Sequence, residues 1–219
     1  MGQDQQAKHR QIGRKLTRQA ARRAPYASLL IVCEGEKTEP LYLQEIRQDM
    51  RLSTANVHVC PSAQGTEPAQ VLAYAERLLL KGEPNRGIAP KAFDEVFVVF
   101  DRDEHHTFHQ ALTQVAALSK KHRLPFHAIA SVPCFELWLL LHFEPVYAPL
   151  HRTEALARLK QHLPHYAKAQ PGLWAQTQAR LPHATACAQT LGEHTTAYDG
   201  IQPCTAMHQL VARLLHLKD

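Results

Sequence analysis

Apolar and polar positions alternate along the first two thirds of the chain in blocks of two kinds. Residues 26–33, YASLLIVC, form a nearly unbroken apolar run, which predicts a strand buried on both faces. Residues 38–52 carry Leu41, Ile46 and Met50 near helical spacing, with Thr38 as an N-cap and Pro40 in the first turn, and predict a helix. A short strand is expected over 55–61, then a helix over 66–81 stopped by Gly82 and Pro84. The run 94–105 predicts a third strand with its core at 96–100. A helix over 107–124 and a strand over 125–131 complete the alternation. Strands and helices taken in turn predict an α/β class: a compact Rossmann-like core with a parallel sheet flanked by helices.

The pattern changes after residue 133. Residues 134–145, CFELWLLLHFEP, are rich in Leu and Trp and contain no β-branched residue, which favours a buried helix over a strand. Beyond residue 150 strand signals fade, and three helical segments are expected, broken by Pro164, Pro171 and Gly200. The domain reading is a basic N-terminal tail over 1–25, an α/β core over 26–149, and a C-terminal helical extension over 150–219 packed on that core.

Charge sharpens the first boundary. The net charge is +5, but residues 1–25 hold seven Lys and Arg against Asp4, a local +6, which leaves −1 for the remainder. The basicity is a property of the tail, which either touches nucleic-acid phosphates or frays in solvent. Hydrophobic residues make up 45% of the chain, enough for a sizeable core. No apolar run approaches a membrane span, and the basic N-terminus lacks the apolar stretch of a secretory signal. Five cysteines without a CxxC pair argue against a disulfide framework or a structural zinc site. The expected compartment is a reducing cytoplasm.

Candidate chemistry sits where two strands end. The first predicted strand runs into Glu34, Gly35, Glu36 and Glu39, and the third into Asp101, Asp103 and Glu104. In open parallel sheets ligands bind at the carboxyl ends of strands. Asp101 and Asp103, two apart in extended backbone, point the same way. Two carboxylates at a separation of about 6 Å repel by roughly 3 kcal/mol at an effective dielectric near 20. A hard divalent cation removes that cost, so Asp-x-Asp beside a Glu from another strand suits Mg²⁺. The rival reading of each motif alone is a solvated loop, and of Gly35 an ordinary turn glycine.

These residues carry a resemblance. LLIVCEGEKTEPLYL together with VFVVFDRDEH resembles the TOPRIM domain of topoisomerases, primases and OLD-family nucleases. With GTEPAQVLAYA, SVPCFELWLLLHFE and PCTAMHQLVARL added, the chain more closely resembles the RloB-like family over about residues 27–216. The resemblance implies Glu34 as the primary acid, Asp101 and Asp103 as Mg²⁺ ligands, and Glu39 as a supporting or second-metal carboxylate, with Mn²⁺ as a substitute ion. It implies phosphodiester cleavage of DNA or RNA, tRNA included, in phage-defence loci beside an ABC- or AAA-type ATPase. A homo-oligomer is compatible with it. Many TOPRIM proteins place the second acid nearer the first, so whether Glu36 or Glu39 faces the metal stays open.

Other residues have two readings. Glu136 lies in an apolar block and needs a metal, a cation or a backbone cap; the resemblance tilts it toward the catalytic set. Lys37, His105 and His142 are candidate phosphate contacts, against a loop lysine, a loop histidine and a satisfied structural histidine. His106, Ser131 and Thr205 are further phosphate-contact candidates. Two rival functions remain: a catalytically silent subunit docking on an ATPase, and a phosphohydrolase with Asp101 as nucleophile. The second lacks the residues expected after the Asp-x-Asp and a downstream lysine motif.

Overall fold

The computed structural model describes residues 25–102, 105–194, 196–198 and 203–219. The basic-tail reading therefore falls outside the described residues, apart from Pro25. The elements run β1 (Leu29–Cys33), α1 (Thr38–Asp49), β2 (Val57–Pro61), α2 (Pro68–Lys81), β3 (Glu95–Asp101), α3 (Phe108–His122), β4 (Phe126–Val132), α4 (Glu136–Leu140), α5 (Arg152–His162), α6 (Leu173–Thr177), α7 (Leu181–His194), β5 (Cys204–Thr205) and α8 (Met207–Leu215). The sheet order is β2-β1-β3-β4-β5. The first four strands are parallel and β5 is antiparallel to β4. The α/β expectation is borne out.

All five residues of β1 are buried because helices cover both faces of the sheet. Alternation divides them. Leu29, Ile31 and Cys33 join one core with Tyr42, Leu43 and Ile46 of α1. Leu30 and Val32 join the other with Val71, Leu72 and Leu78 of α2 and Phe108 and Leu112 of α3. The ends of α2 follow local rules. Glu67 and Gln70 form a reciprocal capping box, Pro68 takes the first turn, and Gly82 ends the helix at φ 65°.

Three expectations need correction. Thr38 is the first residue of α1 and Lys37 holds the cap position; the Thr38 hydroxyl instead accepts from the Ala169 N–H at 3.1 Å. The helix expected over 134–145 is the short α4, all five of whose residues are buried. The C-terminal region is not purely helical. It contributes β5, a two-residue strand on the sheet edge, and its helices share one hydrophobic core with β1 and α1, from Leu29 to Leu217. Trp138 lies at the centre of that core, fully buried, its indole N–H donating to the Tyr42 hydroxyl at 3.1 Å.

Candidate functional site

From β1 the chain crosses to β2 on one side, then returns past β1 to β3 on the other. The strand order therefore reverses between β1 and β3, where open α/β sheets leave a crevice at the carboxyl ends. Glu34 follows β1 directly, and Asp101 is the last residue of β3. The Glu34 N–H donates to the Val99 carbonyl at 2.8 Å, and the Asp101 N–H donates to Glu34 Oε2 at 2.9 Å. Two acids far apart in sequence are thus fixed to each other by backbone.

Two further carboxylates crowd this point. Glu39, in the first turn of α1, is only 8% exposed, while Glu36 is exposed. Gly35 leaves room for Glu39, because a Cβ there would meet the Glu39 carboxylate and push it aside. Burial pushes the Glu39 carboxyl up to about 7, with the charges of Glu136 and Glu34 adding to it while its own backbone amide opposes. Asp101 is raised by burial, then by Glu39 and Glu34, although the Phe135 N–H donates to its Oδ2 at 3.0 Å. Glu136 opens α4 at 5% exposure. It accepts from the Tyr166 hydroxyl at 3.0 Å, and Lys168 Nζ stands 3.9 Å from the same oxygen.

The other flank of Glu34 is built differently. His105 Nε2 lies 2.8 Å from Glu34 Oε1, and its Nδ1 lies 3.2 Å from Glu67 Oε1. The second Glu67 oxygen accepts from the Thr107 hydroxyl at 2.7 Å. Burial lowers the His105 pKa, but the hydrogen bonds to Glu67 and Glu34 outweigh it and hold the imidazole above its ordinary value. The Thr107 and His105 hydrogen bonds hold Glu67 below the usual carboxylate range. Sequence reading singled out none of Glu67, Thr107, Tyr166 or Lys168. The only available signal for Glu67 was its place in the GTEPAQ cap of α2.

The remaining candidates separate. Asp103 and Glu104 lie outside the described residues. Lys37 and His106 are exposed beside the mouth. His142 is corrected: at 1% exposure it has no surface to offer a phosphate. Its Nδ1 lies 2.9 Å from the Trp138 carbonyl, its ring meets the Trp138 indole edge-on, and burial pulls its pKa down to about 4, leaving it neutral. Ser131 and Thr205 are also corrected: both are buried, and their hydroxyls lie 3.0 Å apart across the β4–β5 pair. Cys134 is no nucleophile here, because burial and the charges of Glu136 and Asp101 keep it a thiol.

The donors that converge are all carboxylate oxygens, the chemistry that suits Mg²⁺ or Mn²⁺ rather than a soft ion. Glu39 and Asp101 are raised first by burial and then by neighbouring carboxylates, and a divalent cation would relieve both. On that ground Glu34, Glu39 and Asp101 fit such an ion. As the side chains stand, no group of three or more His, Cys, Asp or Glu among the described residues is arranged to hold an ion.

A family model described as RloB-like protein matches residues 29–214, a span that runs from the first residue of β1 almost to the end of α8. The chain belongs to the RloB-like family. The RloB-like match takes in both acid-bearing strand ends, the His105–Glu67 pair and the Tyr166–Lys168 segment. No curated protein and no solved structure matches the chain. Among the described residues no helix is long and apolar enough to cross a membrane.

Proposed function

We propose that this RloB-like protein is a divalent-cation-dependent endonuclease of TOPRIM type, hydrolysing phosphodiester bonds in DNA or RNA. The observation that carries the reading is the convergence of Glu34, Glu39, Asp101 and Glu136 at the switch point of the sheet, with Glu39 and Asp101 raised by burial and by their neighbours. Carboxylates crowded in this way are unfavourable alone and become an asset beside a cation. Glu34, Glu39 and Asp101 would hold Mg²⁺, joined by Asp103. When bound, Mg²⁺ supplies charge neutralisation on a phosphodiester and an activated water.

The chain's own groups do the rest. The Asp101 amide fixes Glu34 Oε2, so the orientation of that carboxylate is set before substrate arrives. His105 stands on Glu34 Oε1 with a proton to give or hold, and Glu67 with Thr107 fixes its ring. Lys168, beside Glu136, is placed to meet a substrate phosphate. An effector role in anti-phage defence, in a cytoplasmic setting beside an ABC- or AAA-type ATPase, is part of the same proposal and rests on family membership.

The test is Mg²⁺- or Mn²⁺-dependent cleavage of plasmid, single-stranded DNA and tRNA, with and without the neighbouring ATPase. Glu34→Ala and Asp101→Ala should each lower cleavage by about 100-fold or more. Wild-type cleavage in both would overturn the reading. Phage defence that survives both substitutions would instead support a silent docking subunit.

A further inference from the structure

We propose that the outer edge of β2, between Arg47 and Arg86, is a binding track for the phosphodiester backbone of a nucleic-acid strand that enters the acidic mouth. The inference rests on the nuclease reading and extends it to a second, non-catalytic subsite. β2 is the last strand on its side of the sheet. Its Asn56 carbonyl and Ser62 amide are used by β1, so the groups of Val57, Val59 and Pro61 face outward. Arg47 Nη1 donates to the Val57 carbonyl at 3.3 Å, and Arg86 Nη1 donates to the Pro61 carbonyl at 3.3 Å. Between the two arginines lies a cavity of about 410 Å³ lined also by Thr54, His58 and Val59. The described part of the chain is otherwise close to neutral, so two guanidinium groups on one strand edge are a local concentration of positive charge.

The chemistry selects phosphate over an extended peptide. A peptide adding to this edge needs the outward carbonyls and amides. The carbonyls at both ends are occupied by arginine, the Val57 amide is bonded to Ser53, and Pro61 has no amide proton. A guanidinium has five N–H donors, and a carbonyl takes one of them. Arg86 also meets Cys60, and the donors that remain on the two side chains form the planar fork that suits phosphate oxygens. Glu83 takes part of the Arg86 charge, at 3.5 Å from its Nε. From Val57 to Pro61 the edge spans about 13 Å, longer than a single phosphate. Its Arg86 end adjoins the mouth, because Pro61 pairs with Cys33, the residue before Glu34.

The test measures binding of a labelled single-stranded oligonucleotide by fluorescence anisotropy, using the full chain in EDTA so that nothing is cut. Each lost phosphate contact should flatten the slope of log affinity against log salt by about 0.7 for a single strand. The double variant Arg47→Gln, Arg86→Gln keeps an amide donor for each strand carbonyl and removes both charges. It should lower the slope by about 1.4 and weaken low-salt binding roughly tenfold. Glu83→Gln leaves both arginines in place, keeps an acceptor for the Tyr74 hydroxyl, and should strengthen binding; it decides the question if the double variant unfolds. Affinity and slope unchanged in both variants overturn the track and leave the arginines as guards of a strand edge, with the nuclease reading intact. A wild-type chain that binds no nucleic acid overturns both.

Discussion

Glu34 divides the mouth into two unlike halves. On the β3–α3 side His105 bridges Glu34 and Glu67, and Thr107 completes Glu67. On the α1–α4 side Glu39, Asp101 and Glu136 press on one another, with Lys168 the cation beside them. The protein has spent its own groups to neutralise one half and has left the other in a state that costs stability. Clusters that fold at their own expense occur where a ligand repays the cost. On the proposed reading the crowded half would take the cation, and the compensated half would hold a proton and an orientation.

The sharpest way to break that comparison is to remove charge from the crowded half. Asp101→Asn keeps an acceptor for the Phe135 N–H and deletes one carboxylate. It should abolish cleavage, by about 100-fold or more, and at the same time raise the Tm of the metal-free protein. A variant that loses activity and stability together would show that Asp101 holds the fold rather than a ligand.

Next in size is the pH response. A carboxyl raised in the folded state binds more protons there than when unfolded, so its contribution to stability falls as pH rises. For Glu39 that window runs from its ordinary 4.5 to about 7. In EDTA the Tm gap between wild type and Glu39→Gln should widen across this window, to roughly 5 °C in favour of the variant. Mg²⁺ at 100 times its Kd would return about 2.7 kcal/mol to the wild type. A gap that does not change with pH would place Glu39 outside the cluster.

The two halves were not equally legible in the sequence. Glu34 and Asp101 could be read because each ends a buried apolar run, and strand ends are where sheets place ligands. That Glu39 turns inward while Glu36 stays exposed is visible only in the folded turn after β1, which strand periodicity does not encode. Glu67 looks like a helix cap and is one; its second task, holding His105, depends on α2 and the β3–α3 turn meeting across the sheet. Tyr166 and Lys168 sit in a turn between α5 and α6 that carries no motif. They reach the site because that segment is tied to α1, with Ala169 on Thr38 and Gly172 and Trp174 on Glu45. β5 is two residues long, too short for alternation to show.

The compensated half should respond in the opposite sense. The raised His105 adds stability that is fully present below its ordinary 6.5 and is lost as pH rises through its folded pKa. The lowered Glu67 adds stability that is present above 4.5 and lost as pH falls through its folded value. The pair is strongest between those limits. His105→Gln should cost about 1 kcal/mol near pH 5.5, a Tm loss of about 2–4 °C, and less at pH 8. Equal losses at both pH values would mean that His105 acts through packing alone.

Lys168 separates catalysis from stability at the smallest scale. Its side chain is 64% exposed and 3.9 Å from Glu136, so solvent screens the pair. Lys168→Gln should therefore move Tm by about 1 °C or less. If the lysine meets substrate phosphate, the same variant should raise KM and flatten the salt dependence of KM, while Tyr166→Phe, which removes only the hydroxyl on Glu136, should leave that salt dependence unchanged. A salt response shared by both variants would trace the effect to Glu136, and Lys168 would then belong to the crowded half as its internal counter-charge.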